Sequence, residues 1–410
     1  MIYALTILCI FIIFFEKKIL VKWFFSIFLL HYFVTYIFAF NFGFLGVISN
    51  EIFFYQETYI RAINYSGLSL ITIYLVYALF KINSLKIKLR EITNVNKLSV
   101  YTFSLIGFCS LLILIQTMGG VSNILSNVEF MRSGQGQRIG FLMYPATMFI
   151  PLSMIFYLAL SKKSCSLSYM IVFFISLIPI FMLGFRGPIL ILLIQFVTLY
   201  HLKIKQLDFS KTFLLLVFAI CFFTLYAFFR EGLSIDEFLL IFEIFLNSVL
   251  LRVRGIEYLS QIILYGSEYN YFIPNIVETA TIVIPSAVFP EKPISTTEMI
   301  TTLYFKNELY DLGIIRDVYG GVSSGFLSHG YWSAGLLGVL SISIFSGFIL
   351  GLISKLHHNN VGILLIATFI SYVHLYIESF QLAINSLVMN FLAMLIFIII
   401  KNIFSDAKGH

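Results

Sequence analysis

The sequence predicts an all-α polytopic membrane protein of about eleven transmembrane helices, with one long outer loop that holds helical or re-entrant segments. Three observations predict it. Of the 410 residues, 60% are hydrophobic and only 11% charged, with a mean hydropathy of +0.97. A soluble domain carries about 45–50% apolar and about 25% charged residues, so this excess must face lipid. The apolar residues come in runs close to the ~20 that a helix needs to cross about 30 Å of hydrocarbon. The charges gather between those runs and sort by type from one connection to the next.

The runs fall at 2–15, 19–40, 61–80, 98–118, 141–160, 166–183, 188–203, 211–228, 332–354, 361–381 and 385–400. The first is short, and a signal peptide is its natural competitor. No basic residue precedes it, however, and Glu16-Lys17-Lys18 stands where a small-residue cleavage site would be. Three regions follow: spans one to eight over 1–228, an outer segment over 229–331, and the last three spans with a short tail over 332–410. Within the outer segment, 236–265 is apolar at helical spacing but interrupted by Glu243. Residues 272–289 carry Pro274, Glu278 and Pro285, which suits a broken or re-entrant element. If both stretches cross, there are thirteen spans, and Arg252 and Arg254 pass to the other side. No internal repeat, low-complexity tract or inverted pair of broken helices stands out.

Fifteen of the 17 lysines lie on one set of connections and eight of the nine arginines on the other. Basic residues in short connections mark the cytoplasmic side, which places the N-terminus outside and the C-terminus inside. The formal charge of +6 therefore records orientation and implies no nucleic-acid partner. Outer arginines need a different reason, because Arg offers carboxylates and phosphates a planar bidentate fork that Lys lacks. They either pair with the many outer acids or await an anionic ligand. Cys9, Cys109, Cys165 and Cys221 lie in or beside spans, so no disulfide or cysteine metal site is implied.

Four features can carry chemistry. Gly184-Phe185-Arg186-Gly187-Pro188 reads as a tight turn between spans six and seven, holding Arg186 at headgroup level either for a ligand or as a snorkelling anchor. Arg132-Ser133-Gly134-Gln135-Gly136-Gln137-Arg138 sets two arginines around flexible backbone, suited to phosphate or sugar hydroxyls or to plain solvation. Its last glycine position holds Ile139, so it is no dinucleotide fingerprint. The outer segment adds Arg230, Arg252, Arg254, Arg316 and His329. Arg254 and Glu257 are spaced for a local salt bridge, and an exposed His329 beside Tyr331 and Trp332 suits either a base or an interfacial belt. His374 and Glu378 are four apart in span ten, where ionisable residues face a cavity or pair with a neighbour. The chain lacks HExxH and Walker A sequences and a DxD or ExD pair in 41–60, which disfavours metal and nucleotide chemistry.

These patterns resemble the oligosaccharide repeat-unit polymerases of bacterial surface polysaccharide synthesis (Wzy-type). Gly184-Phe185-Arg186-Gly187 is similar to that family's G-x-R-G turn. Ile284-Pro285 with Pro290-Glu291-Lys292-Pro293 is similar to a stretch of its long loop, and Gly320-Gly321 through Gly325, Gly330, Gly335 and Gly338 to the glycine-punctuated opening of the next span. Ser328-His329-Gly330 departs from the family's usual Asn/Asp-aromatic-Gly, and the long loop has no clear R-x10-G. The resemblance implies a GT-C-like ligase/polymerase architecture in the bacterial inner membrane, with a periplasmic N-terminus and a cytoplasmic C-terminus. It implies a glycosyltransferase without metal or cofactor, acting on undecaprenyl-pyrophosphate-linked oligosaccharide, with a chain-length regulator and a flippase as possible partners. Arg186, Arg252, Arg254 and Arg316 would then face pyrophosphate, with Arg132, Arg138 and Arg230 assisting. His329, or else His374 with Glu378, would take the acceptor proton, and Tyr331 would stack on a sugar. An O-antigen ligase is the nearest alternative; a lipid-linked oligosaccharide flippase or a secondary transporter stands further off.

Overall fold

A computed structural model describes residues 1–37, 56–82, 86–92, 95, 97–121, 136–160, 167–178, 180, 186–204, 214, 253, 255–265, 281, 325–356 and 359–406. Within these the elements are helical, apart from one isolated β-bridge between Ile87 and Leu356. They are α1 (Ile2–Phe15), α2 (Ile19–Leu29, continued by a π-helical turn at Leu30–Val34), α3 (Gln56–Ile82), α4 (Lys97–Thr117), α5 (Gly136–Leu160) and α6 (Leu167–Ser176). Then follow α7 (Arg186–Lys203), α8 (Gly255–Tyr265), α9 (Phe326–Ser354), α10 (Asn360–Glu378) and α11 (Phe380–Asp406). Seven of the described helices are long and apolar enough to cross a membrane, while Ile2–Phe15 and Pro188–Lys203 are shorter. Apolar side chains such as Leu79, Leu105 and Leu337 stand exposed on their flanks, as lipid-facing residues do. The chain is a helical membrane protein. The expected span 211–228 and the stretch 272–289 lie outside the described residues, save Leu214 and Thr281.

Contacts divide the chain into two units that are not consecutive in sequence: Met1–Lys86, Thr224–Lys355 and Tyr372–Asn385 form the first, and Ile87–Phe223, Leu356–Ser371 and Ser386–His410 the second. In the second unit α4 and α5 are zipped by Phe103 on Phe149, rings 4.4 Å apart, and Phe173 stacks on Phe196 at the same spacing. Several of its buried polar groups are matched, as a dry interior favours, although Gln195 Oε1 has no partner among the described residues. Gln195 donates to Thr368 at 2.8 Å, and Asn359 caps α10 by accepting from the Gly362 N–H. Lys203 reaches the last carbonyls of α5, at Leu158 and Ala159, where a cation complements the helix dipole.

The first unit begins with the α1–α2 hairpin. Its turn is held by Glu16, whose carboxylate accepts from the Lys17 and Lys18 N–H groups and from Lys81 Nζ at 3.0 Å. Helix α3 packs along α9 through small residues. Ser343 donates to Ser69, and a Cβ at Gly347 would come within 2.7 Å of the Ile73 carbonyl, which leaves room there only for hydrogen. Such close approach is how helices gain contact where no hydrophobic force acts between them.

Helix α9 is broken. Ala334 (φ −156°, ψ 31°) and Gly335 (φ 58°, ψ −138°) leave the helical region, and the backbone folds back until the Gly330 carbonyl touches Gly338. The sequence placed the start of this span at 332, because Ser328, His329 and Gly330 break the apolar run. The helix in fact starts at Phe326, with Ser328, His329 and Trp332 buried. Residues 336–354 remain long enough to cross on their own, and 326–333 form a short packed limb.

Candidate functional site

A polar group inside a span is expensive unless it is matched, and the first unit brings His31, His374 and Glu378 together beside one turn of α2. The π-helical turn Leu30–Val34 widens the helix by one residue per turn and so re-aims His31 and Tyr32. Thr35 stabilises it: its hydroxyl lies 2.7 Å from the Leu30 carbonyl and 2.8 Å from the Val253 carbonyl. The chain entering α8 is thereby pinned to α2.

Two glycines make the convergence possible. A Cβ at Gly255 would stand 3.0 Å from Tyr32 Cζ and 3.2 Å from His31 Cβ. One at Gly325 would stand 2.9 Å from the Tyr32 hydroxyl and 3.2 Å from the Ile377 carbonyl. The starts of α8 and α9 and the end of α10 therefore meet at His31–Tyr32. Phe326 packs on Phe24, Phe28, Tyr32 and Tyr376, and Tyr376 bonds Ser346 at 2.7 Å, fastening α10 to α9.

On that end of α10, His374 Nε2 lies 3.0 Å from Glu378 Oε2. The His374 side chain is 29% exposed and that of Glu378 12%, so the pair is reachable yet poorly hydrated. The His31 ring lies 5.6 Å from that of His374, tilted by 51°. An imidazole held on one nitrogen by a carboxylate has its other nitrogen free to take a proton, and the carboxylate stabilises the resulting cation. This arrangement can abstract a proton from a hydroxyl.

The other expected residues fall as follows. Arg132, Arg230, Arg252, Arg254 and Arg316 lie outside the described residues, although Val253 and Gly255, between and after two of them in sequence, are placed at the junction. Arg138 is in the first turn of α5 and Arg186 opens α7, so the flexible loop expected at 136–138 is helix. Pro188 in the first turn of α7 lacks the N–H that would go unsatisfied there anyway. Tyr331 stacks on Tyr65 with rings 5.6 Å apart, near the Arg61–Glu57 pair.

His329 corrects an expectation. It is not an exposed base but 5% exposed, its ring 4.8 Å from Phe380 and its Nδ1 without a hydrogen-bond partner. The reason is the early start of α9, which carries it inward. Sequence reasoning passed over His31, whose one signal is an imidazole in the middle of the apolar run 19–40. Thr35 and Gly255 gave no signal. Among the described residues no three His, Cys, Asp or Glu side chains come together closely enough to hold a metal ion. No family model, curated protein or solved structure matches the chain.

Proposed function

We propose that this protein polymerises lipid-linked oligosaccharide repeat units at the outer membrane face, with His374 and Glu378 as its acid–base pair. One observation carries the reading. The stretch between Arg252 and Gly255 is tied to α2 through Val253 and Thr35, in the same junction that receives His374 and Glu378. A transferase of this class needs both parts: cations for a leaving pyrophosphate and a base for an acceptor hydroxyl.

In the step proposed, the acceptor hydroxyl gives its proton to His374 as its oxygen attacks the anomeric carbon of the donor. The bond from that carbon to the carrier pyrophosphate breaks, and the electron pair leaves with the phosphate. Arg252, Arg254 and Arg316 neutralise the departing charge. Glu378 holds the imidazole and balances the imidazolium. His329, buried against Phe380, has no part in the proton transfer.

Deleting the gene and examining surface polysaccharide and its lipid-linked precursors tests this. Single repeat units capping the acceptor lipid support polymerisation. Long polymer retained on its carrier would indicate a ligase, and units trapped inside a flippase. A proton-coupled transporter is the second reading, because the pair sits in a membrane-spanning helix with His31 behind it. Unchanged polysaccharide together with lost proton-dependent uptake would favour it.

A further inference from the structure

A buried polar atom without a partner is costly and asks for a reason. His31 is such a case. The residue is 1% exposed and its Nε2 makes no hydrogen bond. Its ring faces that of His374 at 5.6 Å, with Glu378 beyond. Its position is built into the backbone: a π-helical turn carries it, Thr35 closes that turn, and Gly255 leaves space beside its Cβ. Turns of this kind recur at functional sites.

We propose that His31, His374 and Glu378 form a one-proton site inside the first unit, whose ligand is a proton that Glu378 holds on the two imidazoles and that either ring can carry. Charge decides the occupancy. With no proton the site carries one negative charge, with one it is neutral, and with two it carries an uncompensated cation. Two imidazolium rings this close repel strongly where water does not screen them, so the neutral state is favoured. A proton that leaves His374 has its acceptor in the lone pair of His31: one N–H bond breaks, another forms, and the net charge stays the same. The elements around this turn add one further buried carboxylate, Glu257, the imidazole of His329, and the phenols of Tyr3, Tyr32, Tyr36, Tyr59 and Tyr376. Phenols stay protonated near neutral pH, which leaves Glu257 as the competing acid. Glu57 and Arg61, at the start of α3, are exposed and bond each other.

The test is a titration of the full chain in lipid nanodiscs between pH 5 and 8, with its seven histidines labelled with ¹⁵N. His31→Gln and His374→Gln identify the two ring signals. Together the rings of the wild type should bind one proton. In His374→Gln the protonated fraction of His31 should rise at least fivefold at the midpoint pH. Glu378→Gln should shift uptake toward acid by at least tenfold in proton concentration, and Glu257→Gln should leave it in place. Two protons bound, none bound, or a His31 ring indifferent to His374→Gln would each overturn the proposal. If His31→Gln fails to elute as a folded species, the wild-type proton count with His374→Gln alone still decides. Polysaccharide plays no part in this measurement, so it stands or falls apart from the polymerase reading.

Discussion

Glu378 and Glu16 are both acids matched by a basic partner, and they answer to different experiments. Glu378 lies one helical turn from His374, so Glu378→Gln keeps the shape while removing the charge that would stabilise an imidazolium. On the polymerase reading, polymer formation should fall about 10²-fold or more, while His329→Ala should leave the rate within a few-fold; both are read by gel analysis of surface polysaccharide from complemented cells. Glu16 concerns stability. Burial would raise its carboxyl, but the Lys81 ammonium and the Lys18 and Lys17 N–H groups outweigh that and hold it below the usual carboxylate range. A carboxyl lowered on folding stabilises above its unfolded value, near 4.5, and loses that contribution as pH falls through the folded one. Thermal unfolding in detergent should therefore show Glu16→Gln melting below the wild type at pH 7, with the gap closing as pH drops below 4.5. The sequence made one of these pairs legible and not the other. His374 and Glu378 are four apart, a spacing that any helix brings together. Glu16 and Lys81 are 65 apart, and His31 meets His374 only through the fold.

At the scale of the element, hydropathy located the helices well and their ends less well. Runs such as 188–203 and 385–400 fall inside α7 and α11, because apolar length is what a bilayer selects. It failed at α9, where the buried surface of 326–333 is partly polar and a hydropathy reading assigns such residues to a loop. The break in α9 is set by local chemistry. Gly335 has a positive φ with a ψ that side chains resist, so Gly335→Ala should cost about 1–3 kcal/mol. A Cβ at Gly338 would overlap the Gly330 carbonyl, and Gly338→Ala should cost at least about 2 kcal/mol through forced displacement. Thermal unfolding of each variant checks both figures, and Ser341→Ala, on the exposed side of the same helix, should stay within about 0.5 kcal/mol of the wild type.

For the molecule as a whole, the lysine bias gives an orientation that can be measured. Single cysteines introduced beside Lys88, in a chain whose native cysteines are replaced, should be protected from an impermeant thiol reagent in intact cells; one beside Gly120 should react. The opposite pattern would invert the topology and remove the arginines from the outer face. Composition made the class of the protein plain because lipid selects so strongly. The division into two units was not readable, since contacts and not sequence order define it: each unit draws on the chain beyond Lys355, the first through Tyr372–Asn385 and the second through Leu356–Ser371 and Ser386–His410. This has a consequence for biosynthesis. A ribosome that has finished nine-tenths of the chain has completed neither unit, and His374 and Glu378 arrive among the last pieces. A nascent chain truncated after Lys355 would thus present quality-control proteases with two unfinished bundles, and on the proposed reading His31 would wait through most of synthesis for His374 and Glu378.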